Sequence, residues 1–549
     1  MEKYTIGIDF GTESGRVLIV NIDDGSIKGQ CVIPYAHGVI TEMLPTNDGT
    51  RLPRDYALQH PGDYLEVIMK GIPHAIKDAN ISSSQIIGIG IDFTSSTMVA
   101  VDEKGKPLCF HKEFQNNPHA WVKLWKHHGP KKETEEMFKL ASSHKESWLK
   151  NYGYNISTEW FIPKCYEVFC KDREVYEKAS LFLEAGDWIV SQLTGKVVRS
   201  NCSLGFKAFW NENSGFPVQF FEKLHPEFKN IVSSKLKGKI GYIGEKAGVL
   251  TDEMSSLLGL PKNLPVAVAI IDAHSAVLGV GSSKPHQLTM VMGTSTCHIM
   301  LSKKEIHIPG ISGVVKNSII PRLYAYEAGQ SAVGDLFGWF AKQVPESLMK
   351  EAKEQGISVF DLLEKKASHL EPGQSGLIAL DWHNGNRSIL SDADLSGMIV
   401  GLTLASKPED IYRAYMEATA FGAKMIISNY EQAGLKINEI FACGGLPQKN
   451  DLLMQIYADV LNKEIIVSAS DYTPAVGAAI LGSVAAGKEN GGYDSVEEAV
   501  EKMKQPILKT YKPILSHVEK YKKLFQIYQQ LHNYFGITKK SWMKDLKSL

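Results

Sequence analysis

Short apolar runs separated by small polar turns dominate the start of the chain. Residues 4–10, 16–22 and 28–34 are such runs, and Gly-Thr-Glu-Ser-Gly and Asp-Asp-Gly-Ser lie between them. Runs of this length, joined by turn residues, are typical of β-strands in consecutive hairpins. The pattern therefore predicts an antiparallel meander at the N-terminus.

The same pattern returns near the middle of the chain. Residues 288–301 contain an apolar run, the turn Gly293-Thr294-Ser295-Thr296 and a second apolar run. A glycine lets a ligand approach the backbone closely, and the neighbouring N–H and hydroxyl groups can bind an anion. Two such hairpins, opening the two halves of one chain, predict a duplicated domain that holds a nucleotide between its halves.

Helical spacing and buried strands alternate through the rest of the chain. We predict helices over residues 61–79, 273–280, 331–344, 358–368, 407–434, 449–462 and 474–487. Nearly continuous apolar runs predict buried strands at 86–92, 266–272, 439–443 and 464–468. This alternation indicates the α/β class. Residues 110–165, rich in His, Trp and Lys, are expected to form a helical insertion.

Composition excludes several classes of protein. The 549 residues exceed what one core accommodates, so two large domains are expected. A net charge of -1 gives no sign of nucleic-acid binding. The lysine-rich segment after residue 509 has apolar residues at helical spacing, which favours an amphipathic helix docked on the body over a nucleic-acid surface.

Targeting and redox features favour the cytoplasm. Neither a signal peptide nor a run of roughly 20 apolar residues is visible, so no membrane association is expected. The seven cysteines are scattered and form no C-x-x-C pair, which argues against a disulfide framework or a zinc site.

The two hairpin turns supply candidate phosphate ligands. Their residues are Gly11, Thr12, Ser14 and Arg16 in the first turn, and Gly293, Thr294 and Ser295 in the second. For either turn alone an ordinary hairpin is the better interpretation, whereas the pair together favours phosphate binding. Arg16 could add charge to the site or pair with a nearby acid. Asp9, which ends the first strand, could hold Mg²⁺ directly or through water, or cap the turn.

Two further acids end buried strands, and a Gly-Gly turn follows a third. Asp272 could accept a hydroxyl proton or cap the helix that follows it, and spacing alone does not decide between these roles. Asp92 could be a Mg²⁺ ligand, a sugar ligand or an N-cap. Gly444 and Gly445 allow a flat ligand to lie against the backbone, while Asn450 could cap a helix or contact a ribose.

The order of these motifs resembles the sugar-kinase branch of the actin, Hsp70 and hexokinase superfamily. More narrowly, residues 397–402 and 410–417 approximate the second signature of the FGGY carbohydrate kinases. Segments 88–97, 113–128 and 326–335 place the likeness nearest to the kinases of a ketopentose, with L-ribulose as the expected sugar. The resemblance covers the chain from Ile6 to about Tyr528.

This resemblance implies two ribonuclease-H-like domains around a cleft that binds sugar and Mg-ATP. The expected domains are residues 1–280, which bind the sugar, and residues 281–549, which bind adenosine. By motif position Asp272 is implied as the catalytic base and as a second metal ligand, and Ser96, Lys207 and Glu327 as sugar contacts. The residues alone favour a solvent-directed Lys207 and a surface pair for Glu327. A homodimer remains open.

Other functions fit parts of the pattern. One alternative is another pentulose or polyol kinase of the same family, because only a few side chains of the pocket determine which sugar is bound. A second alternative is an ATPase of the superfamily that has no sugar substrate. A chaperone would need a β-rich peptide-binding domain after the nucleotide half, and the insertion is unlike a filament-forming ATPase. A sugar-responsive repressor would need a helix-turn-helix before the first strand, where three residues precede Tyr4.

Overall fold

Two seven-stranded mixed sheets organise the protein in the computed structural model, which describes residues 2–548. The strands of the first half are β1 (Tyr4–Phe10), β2 (Ser14–Asn21), β3 (Ile27–Pro34), β4 (Leu58–Gln59), β5 (Ile86–Phe93), β6 (Met98–Val101), β7 (Val122–Lys123), β8 (Leu181–Glu184), β9 (Val198–Ser200), β10 (Lys239–Gly241), β11 (Lys246–Val249), β12 (Pro265–Ala267) and β13 (Ile270–Ile271). Its helices are α1 (Pro61–Glu66), α2 (Ile72–Ala79), α3 (Lys131–Ser143), α4 (Phe161–Lys171), α5 (Arg173–Lys178), α6 (Ala185–Thr194), α7 (Asn201–Lys207), α8 (Val218–Leu224), α9 (Ile231–Ser234), α10 (Asp252–Leu258) and α11 (Asp272–Gly279).

The second half repeats the mixture of strands and helices. Its strands are β14 (Gln287–Met292), β15 (Thr296–Ser302), β16 (Gly313–Lys316), β17 (Tyr324–Gln330), β18 (Ile378–Leu380), β19 (Met398–Val400), β20 (Glu439–Cys443), β21 (Ile465–Ser468) and β22 (Ile507–Tyr511). Its helices are α12 (Gly334–Ala341), α13 (Glu346–Glu354), α14 (Val359–Ala367), α15 (Pro408–Gln432), α16 (Gly445–Lys449), α17 (Asp451–Leu461), α18 (Thr473–Ala486), α19 (Val496–Met503), α20 (Leu515–Asn533) and α21 (Lys540–Ser548).

The two large sheets share one plan. The first has the order β11-β12-β5-β1-β2-β3, with β13 also paired to β5, and the second has the order β16-β17-β15-β14-β20-β21-β22. In each sheet an antiparallel hairpin, β1–β2 or β14–β15, lies beside a parallel strand, β5 or β20. The predicted N-terminal meander, the second hairpin and the α/β class are therefore confirmed.

Helix α18 packs across the two halves. It comes late in the sequence, yet it lies against β1 and β5 of the first sheet and against α11. Glycines on those strands make the approach possible, because a Cβ at Gly7 would lie 1.9 Å from the carbonyl oxygen of Ala475, and one at Gly90 would lie 1.7 Å from that of Ala478. The small residues of α18 thus serve close packing, as their sequence pattern suggests.

Several elements differ from the prediction. The region 110–165 begins with irregular chain, short 3₁₀ turns and β7, and becomes regularly helical only at α3, so it is helical in part. The helix predicted over 61–79 contains a π-helical turn, Val67–Gly71, between α1 and α2. Helix α13 was not predicted, and α12 is shorter than the predicted 331–344.

The lysine-rich C-terminal segment forms α20, with Val518, Tyr521, Phe525 and Tyr528 buried. This confirms the prediction of a docked amphipathic helix. All seven cysteines are free thiols. Among residues 2–548, we find no helix with the length and apolar content needed to cross a membrane.

Candidate functional site

Three carboxylates lie at one edge of the first sheet. Strands β1 and β5 run parallel, with Asp9 directly opposite Asp92. Strand β13 also runs parallel to β5 and pairs Ile271 with Phe93, so Asp272 follows immediately at the same edge. The carboxyl ends of parallel strands are where ligands bind in open α/β sheets. Residues far apart in sequence are therefore brought to one candidate site.

Asp92 is the most deeply buried of the three acids. Its side chain is inaccessible to solvent, and neither carboxylate oxygen has a hydrogen-bond partner among the described residues. Burial, followed by the charges of Asp9 and Asp272, raises the pKa of Asp92 well above its ordinary value. A buried carboxylate without a partner is costly, so its oxygens are available to a ligand. The N-cap alternative for Asp92 is wrong, because β5 continues through Phe93 and no helix follows directly.

Asp272 is the first residue of α11, and its Oδ1 accepts a 2.7 Å hydrogen bond from the N–H of Ala273. The N-cap position belongs to Ile271, so the capping alternative for Asp272 is also wrong. Burial, with the nearby Asp9 and Glu327 adding to it, raises the pKa of Asp272 to about 7. A carboxylate in this range is a better proton acceptor at neutral pH than an ordinary aspartate.

The three carboxylates supply oxygen donors of the kind that Mg²⁺ prefers. However, these three acids do not form a compact set of ligands. Among the described residues, ligand atoms that all lie within 4.8 Å of one another are found at His37, His60 and Asp63 instead. Mg²⁺ usually keeps several water ligands, so a wider set of carboxylates still suits it. The donor set therefore fits Mg²⁺ held partly through water.

The first hairpin turn is anchored by side chains. Arg16 forms an ion pair with Asp9 at 2.9 Å. Of the two roles that the sequence allowed for Arg16, pairing with a nearby acid is therefore observed. The N–H of Gly11 closes the turn by donating to the carbonyl of Ser14 at 3.1 Å, so that donor is already used. Thr12 accepts twice, at Oγ1 from the indole of Trp125 (3.0 Å) and at its carbonyl from Gln59 (2.7 Å).

The second hairpin turn is held by backbone groups. The N–H of Gly293 donates to the carbonyl of Ser295 at 2.9 Å. The N–H groups of Val333 and Gly334, at the start of α12, donate to the carbonyls of Thr294 and Gly293 at 2.9 and 3.0 Å. Thr294 is exposed at the tip. This turn thus keeps a fixed shape while its tip stays open.

A buried ion pair joins the two halves beside Asp272. Lys207 Nζ donates to Glu327 Oε1 at 2.6 Å, and His274 Nε2 lies 2.9 Å from Oε2 of the same glutamate. Burial alone would raise the pKa of Glu327, but Lys207 and His274 outweigh it and lower that pKa strongly. Both members of the pair are buried, so the solvent-directed lysine and the surface pair are wrong.

Ser96 lies in the turn after β5. It is buried, has a positive φ of 54°, and its hydroxyl has no hydrogen-bond partner among residues 2–548. Its carbonyl accepts a 2.7 Å hydrogen bond from the buried ammonium of Lys164. The strained backbone and the unpartnered hydroxyl make this turn a candidate ligand contact.

The Gly-Gly turn follows β20 in the second sheet. Gly444 has a φ of 98°, and a Cβ there would lie 2.3 Å from the carbonyl oxygen of Met292. Gly445 begins α16, is exposed, and has open space where a Cβ would project. Asn450 is the N-cap of α17, with Oδ1 accepting from the N–H of Leu453 at 2.7 Å. Of its two sequence alternatives, the cap is therefore observed.

Sequence reasoning assigned no role to four side chains at or near this site. These are Trp125, Lys164, His274 and Arg387. His274 could have been found from the sequence, because it lies only two residues after the candidate base Asp272. The others lie in irregular chain or on a helix far away in sequence, and no local pattern marks them.

Two family models identify the class of protein. The N-terminal domain model of the FGGY family of carbohydrate kinases matches residues 4–279, and the C-terminal domain model of that family matches residues 288–486. The chain belongs to the FGGY family of carbohydrate kinases.

Individual proteins of known name show how similar this chain is to particular sugar kinases. A Staphylococcus aureus (strain Newman) protein named ribulokinase is 52% identical over 547 residues, which cover 100% of this chain and 99% of that protein. The solved structure of xylulose kinase from Rhodospirillum rubrum is 20% identical, with a TM-score of 0.79 over 97% of this chain and 99% of its own. A ligand-bound xylulose kinase from Lactobacillus acidophilus is 19% identical, with a TM-score of 0.78 over 98% and 100%. These two structures support the fold.

Proposed function

We propose that this protein transfers the γ-phosphoryl group of ATP to the C5 hydroxyl of L-ribulose. The observation that carries the proposal is the 52% identity, over the whole chain, with proteins named ribulokinase. The carboxylates at the edge of the first sheet supply a chemical reason, because phosphoryl transfer needs a group that accepts the proton of the attacking hydroxyl.

Asp272 is proposed to accept the proton of the sugar hydroxyl. It lies at the carboxyl edge of the first sheet, and its raised pKa makes it a competent base near neutral pH. The transition state of phosphoryl transfer is loose in most analyses, so a modest base is sufficient.

Lys207, Glu327, Ser96 and Asp92 are proposed to bind the sugar. The charged groups of Lys207 and Glu327 are held in place by each other, and Glu327 also by His274. Binding a sugar hydroxyl would therefore cost these side chains little conformational entropy. Asp92 and Ser96 offer buried oxygen atoms without partners.

Asp9 is proposed to hold Mg²⁺ through water, with Asp92 and Asp272 as the nearest further carboxylates. When bound, Mg²⁺ neutralises negative charge on the transferred phosphoryl group. Arg16 holds the Asp9 side chain in place through their 2.9 Å ion pair. Thr12, Ser14, Thr294 and Ser295 are proposed to contact the phosphates, and the turn at Gly444 and Gly445 to contact adenosine.

We further propose that residues 1–280 act as the sugar-binding domain and 281–549 as the adenosine-binding domain. The reaction is placed in the cytoplasm, which agrees with seven free thiols. Closure of the two domains would exclude water from the phosphoryl group.

The test is Mg-dependent ADP release with L-ribulose, run beside D-ribulose, D-xylulose, glycerol and a blank without sugar. Strong stimulation by L-ribulose supports the proposal. Stimulation only by another sugar keeps the kinase and changes its substrate. Equal turnover in the blank contradicts a sugar kinase and points to an ATPase.

A further inference from the structure

Arg387 connects the second half of the protein to the insertion of the first half. It lies in the loop between β18 and β19, and its side chain packs over Gly329 of β17, where a Cβ would lie 3.2 Å from its Cδ. Gly329 stands two residues after Glu327 on the same strand. The guanidinium reaches Glu159, with Nη2 3.2 Å from Oε1.

Glu159 belongs to the insertion and precedes α4. Its Oε1 also lies 3.2 Å from Nε2 of His128. Burial alone would raise the pKa of Glu159, but Arg387 and His128 outweigh burial and lower that pKa to about 2. The side chains of Arg387 and Glu159 are 24% and 21% exposed, so the pair is shielded from most of the solvent.

Two further contacts join the same segments. Asn155 Nδ2 donates to the carbonyl of Ser391 at 3.3 Å, and the N–H of Gly310 donates to the carbonyl of Gly153 at 3.0 Å. Residues 153–159 of the insertion therefore touch two loops of the second half. The arginine of the charged pair packs over Gly329 of β17, the strand that also carries Glu327.

We propose that Arg387 and Glu159 form a latch that holds the insertion against the second half over the sugar. This inference rests on the proposed function, since it gives the latch a sugar to enclose. Opening the cleft would separate Arg387 from Glu159, which would keep only His128 as a partner, so the pair favours the arrangement in which the two segments stay together. Arg387 and Glu159 are positioning residues: they set sugar affinity and limit loss of the phosphoryl group to water.

The experiment uses charge reversal in the full-length protein. Arg387→Glu, Glu159→Arg and the double variant are all made in a His128→Gln parent, because His128 is the second partner of Glu159. The matched control reverses Arg322 and Glu497, an ion pair within the second half whose arginine is exposed and whose glutamate is partly exposed. The KM for sugar, the KM for ATP and the ratio of ADP released to sugar phosphate formed are measured for each.

Each single reversal is expected to raise the sugar KM about tenfold and to raise the ADP-to-product ratio, because a broken partly buried pair costs more than an exposed one. The ATP KM should stay near that of the parent. The double variant should recover most of the sugar KM, and the control pair should change neither quantity.

Hydrogen–deuterium exchange without sugar provides a readout that does not need activity. Peptides covering 150–160 and 385–391 should exchange faster in each single variant and return toward the parent in the double variant. Absence of faster exchange, or a double variant no better than the worse single one, overturns the latch. Faster exchange with an unchanged sugar KM also overturns it, because the pair would then hold the segment without serving the sugar. If the unsubstituted protein phosphorylates no sugar, the proposed function fails, and the exchange result alone decides whether the pair joins the halves.

Discussion

The two hairpins of this protein have the same backbone plan and different chemistry. The first carries Asp9 next to the end of β1, pairs that acid with Arg16, and receives hydrogen bonds from Trp125 and Gln59. The second ends β14 with Met292 and is fixed by backbone N–H groups at the start of α12.

The difference shows how a duplicated unit can divide its work. Carboxylates gather at the edge of the first sheet, where the proposed chemistry occurs, while the second sheet presents glycines and backbone groups suited to a flat nucleotide. Glu327 is the exception, because it stands on the second sheet and reaches Lys207 and His274 of the first half. Substitutions in the two regions should therefore fail in different ways.

The largest expected effect is at Asp272. Asp272→Ala should lower kcat by about 10²–10⁴-fold while sugar binding persists, because the proton acceptor is lost and the surrounding contacts remain. Sugar binding by calorimetry and turnover by ADP release check this. Asp252→Ala, at an exposed acid of the same half, is the control. Near-normal turnover would remove Asp272 from the role of base.

Glu327 is the acid of the second sheet that contacts the first half, so its substitution tests whether it serves the sugar or the nucleotide. Glu327→Gln keeps the shape of the side chain but leaves the buried ammonium of Lys207 without a carboxylate, so the sugar KM should rise by about 100-fold. The ATP KM should change little. Glu305→Gln, an exposed acid on the same half, serves as control. A rise confined to the ATP KM would assign Glu327 to the nucleotide side.

The Gly-Gly turn tests the second sheet. Gly444→Ala should lower the free energy of unfolding by about 1–3 kcal/mol, because its φ of 98° and the 2.3 Å approach to Met292 leave no room for a Cβ. Gly445→Ala should leave stability unchanged, since its Cβ would enter open space, and should raise the ATP KM if adenosine lies there. Thermal unfolding and ATP kinetics separate the two. Equal stability loss in both variants would contradict this account.

A pH titration distinguishes chemistry from nucleotide binding. Because the pKa of Asp272 is raised to about 7, kcat/KM for sugar should fall about tenfold per pH unit below that value, as the base becomes protonated. ADP affinity should not follow the same curve.

Stability should change in the opposite direction. The folded protein binds the Asp272 proton more tightly than the unfolded chain, so the contribution of this group to the free energy of unfolding falls as pH rises from about 4 to 7. The Asp272→Ala variant should lack that contribution. A flat kcat/KM profile between pH 5 and 7 would contradict the assignment.

The smallest effects are expected at the turn threonines. Thr12→Val leaves the indole N–H of Trp125 without its acceptor and should cost about 1 kcal/mol of stability. Thr294→Val should cost less, because backbone groups hold that turn. Both should raise the ATP KM a few-fold if their hydroxyls contact phosphate. Denaturant unfolding and ATP kinetics check the order, and a larger stability loss at Thr294 would reverse the comparison.

Much of the fold was predictable because its signals are local. The two hairpins and the buried strands at 86–92 and 439–443 follow from apolar runs and turn residues. The carboxylates at the strand ends followed from the same pattern, although capping remained an equal alternative for Asp272 until the helix start was seen. The FGGY resemblance, rather than spacing, indicated Lys207 and Glu327.

Other features depend on contacts between distant residues. Sequence periodicity does not show that Arg387 meets Glu159, or that Lys164 donates to the carbonyl of Ser96. The irregular first part of the insertion was also missed, because its stability comes from buried side chains such as Trp121 and His127 rather than from a repeating pattern.

The packing of α18 against the first sheet affects how the protein folds while it is being synthesised. The first sheet is complete at β13, yet the helix that covers its glycine-lined face begins about 200 residues later. At a translation rate of roughly 5–20 residues per second, this interval lasts about 10–40 s. Until then the contacts that α18 makes with β1 and β5 cannot form, so the packing of the first sheet is completed only when the second half has been synthesised.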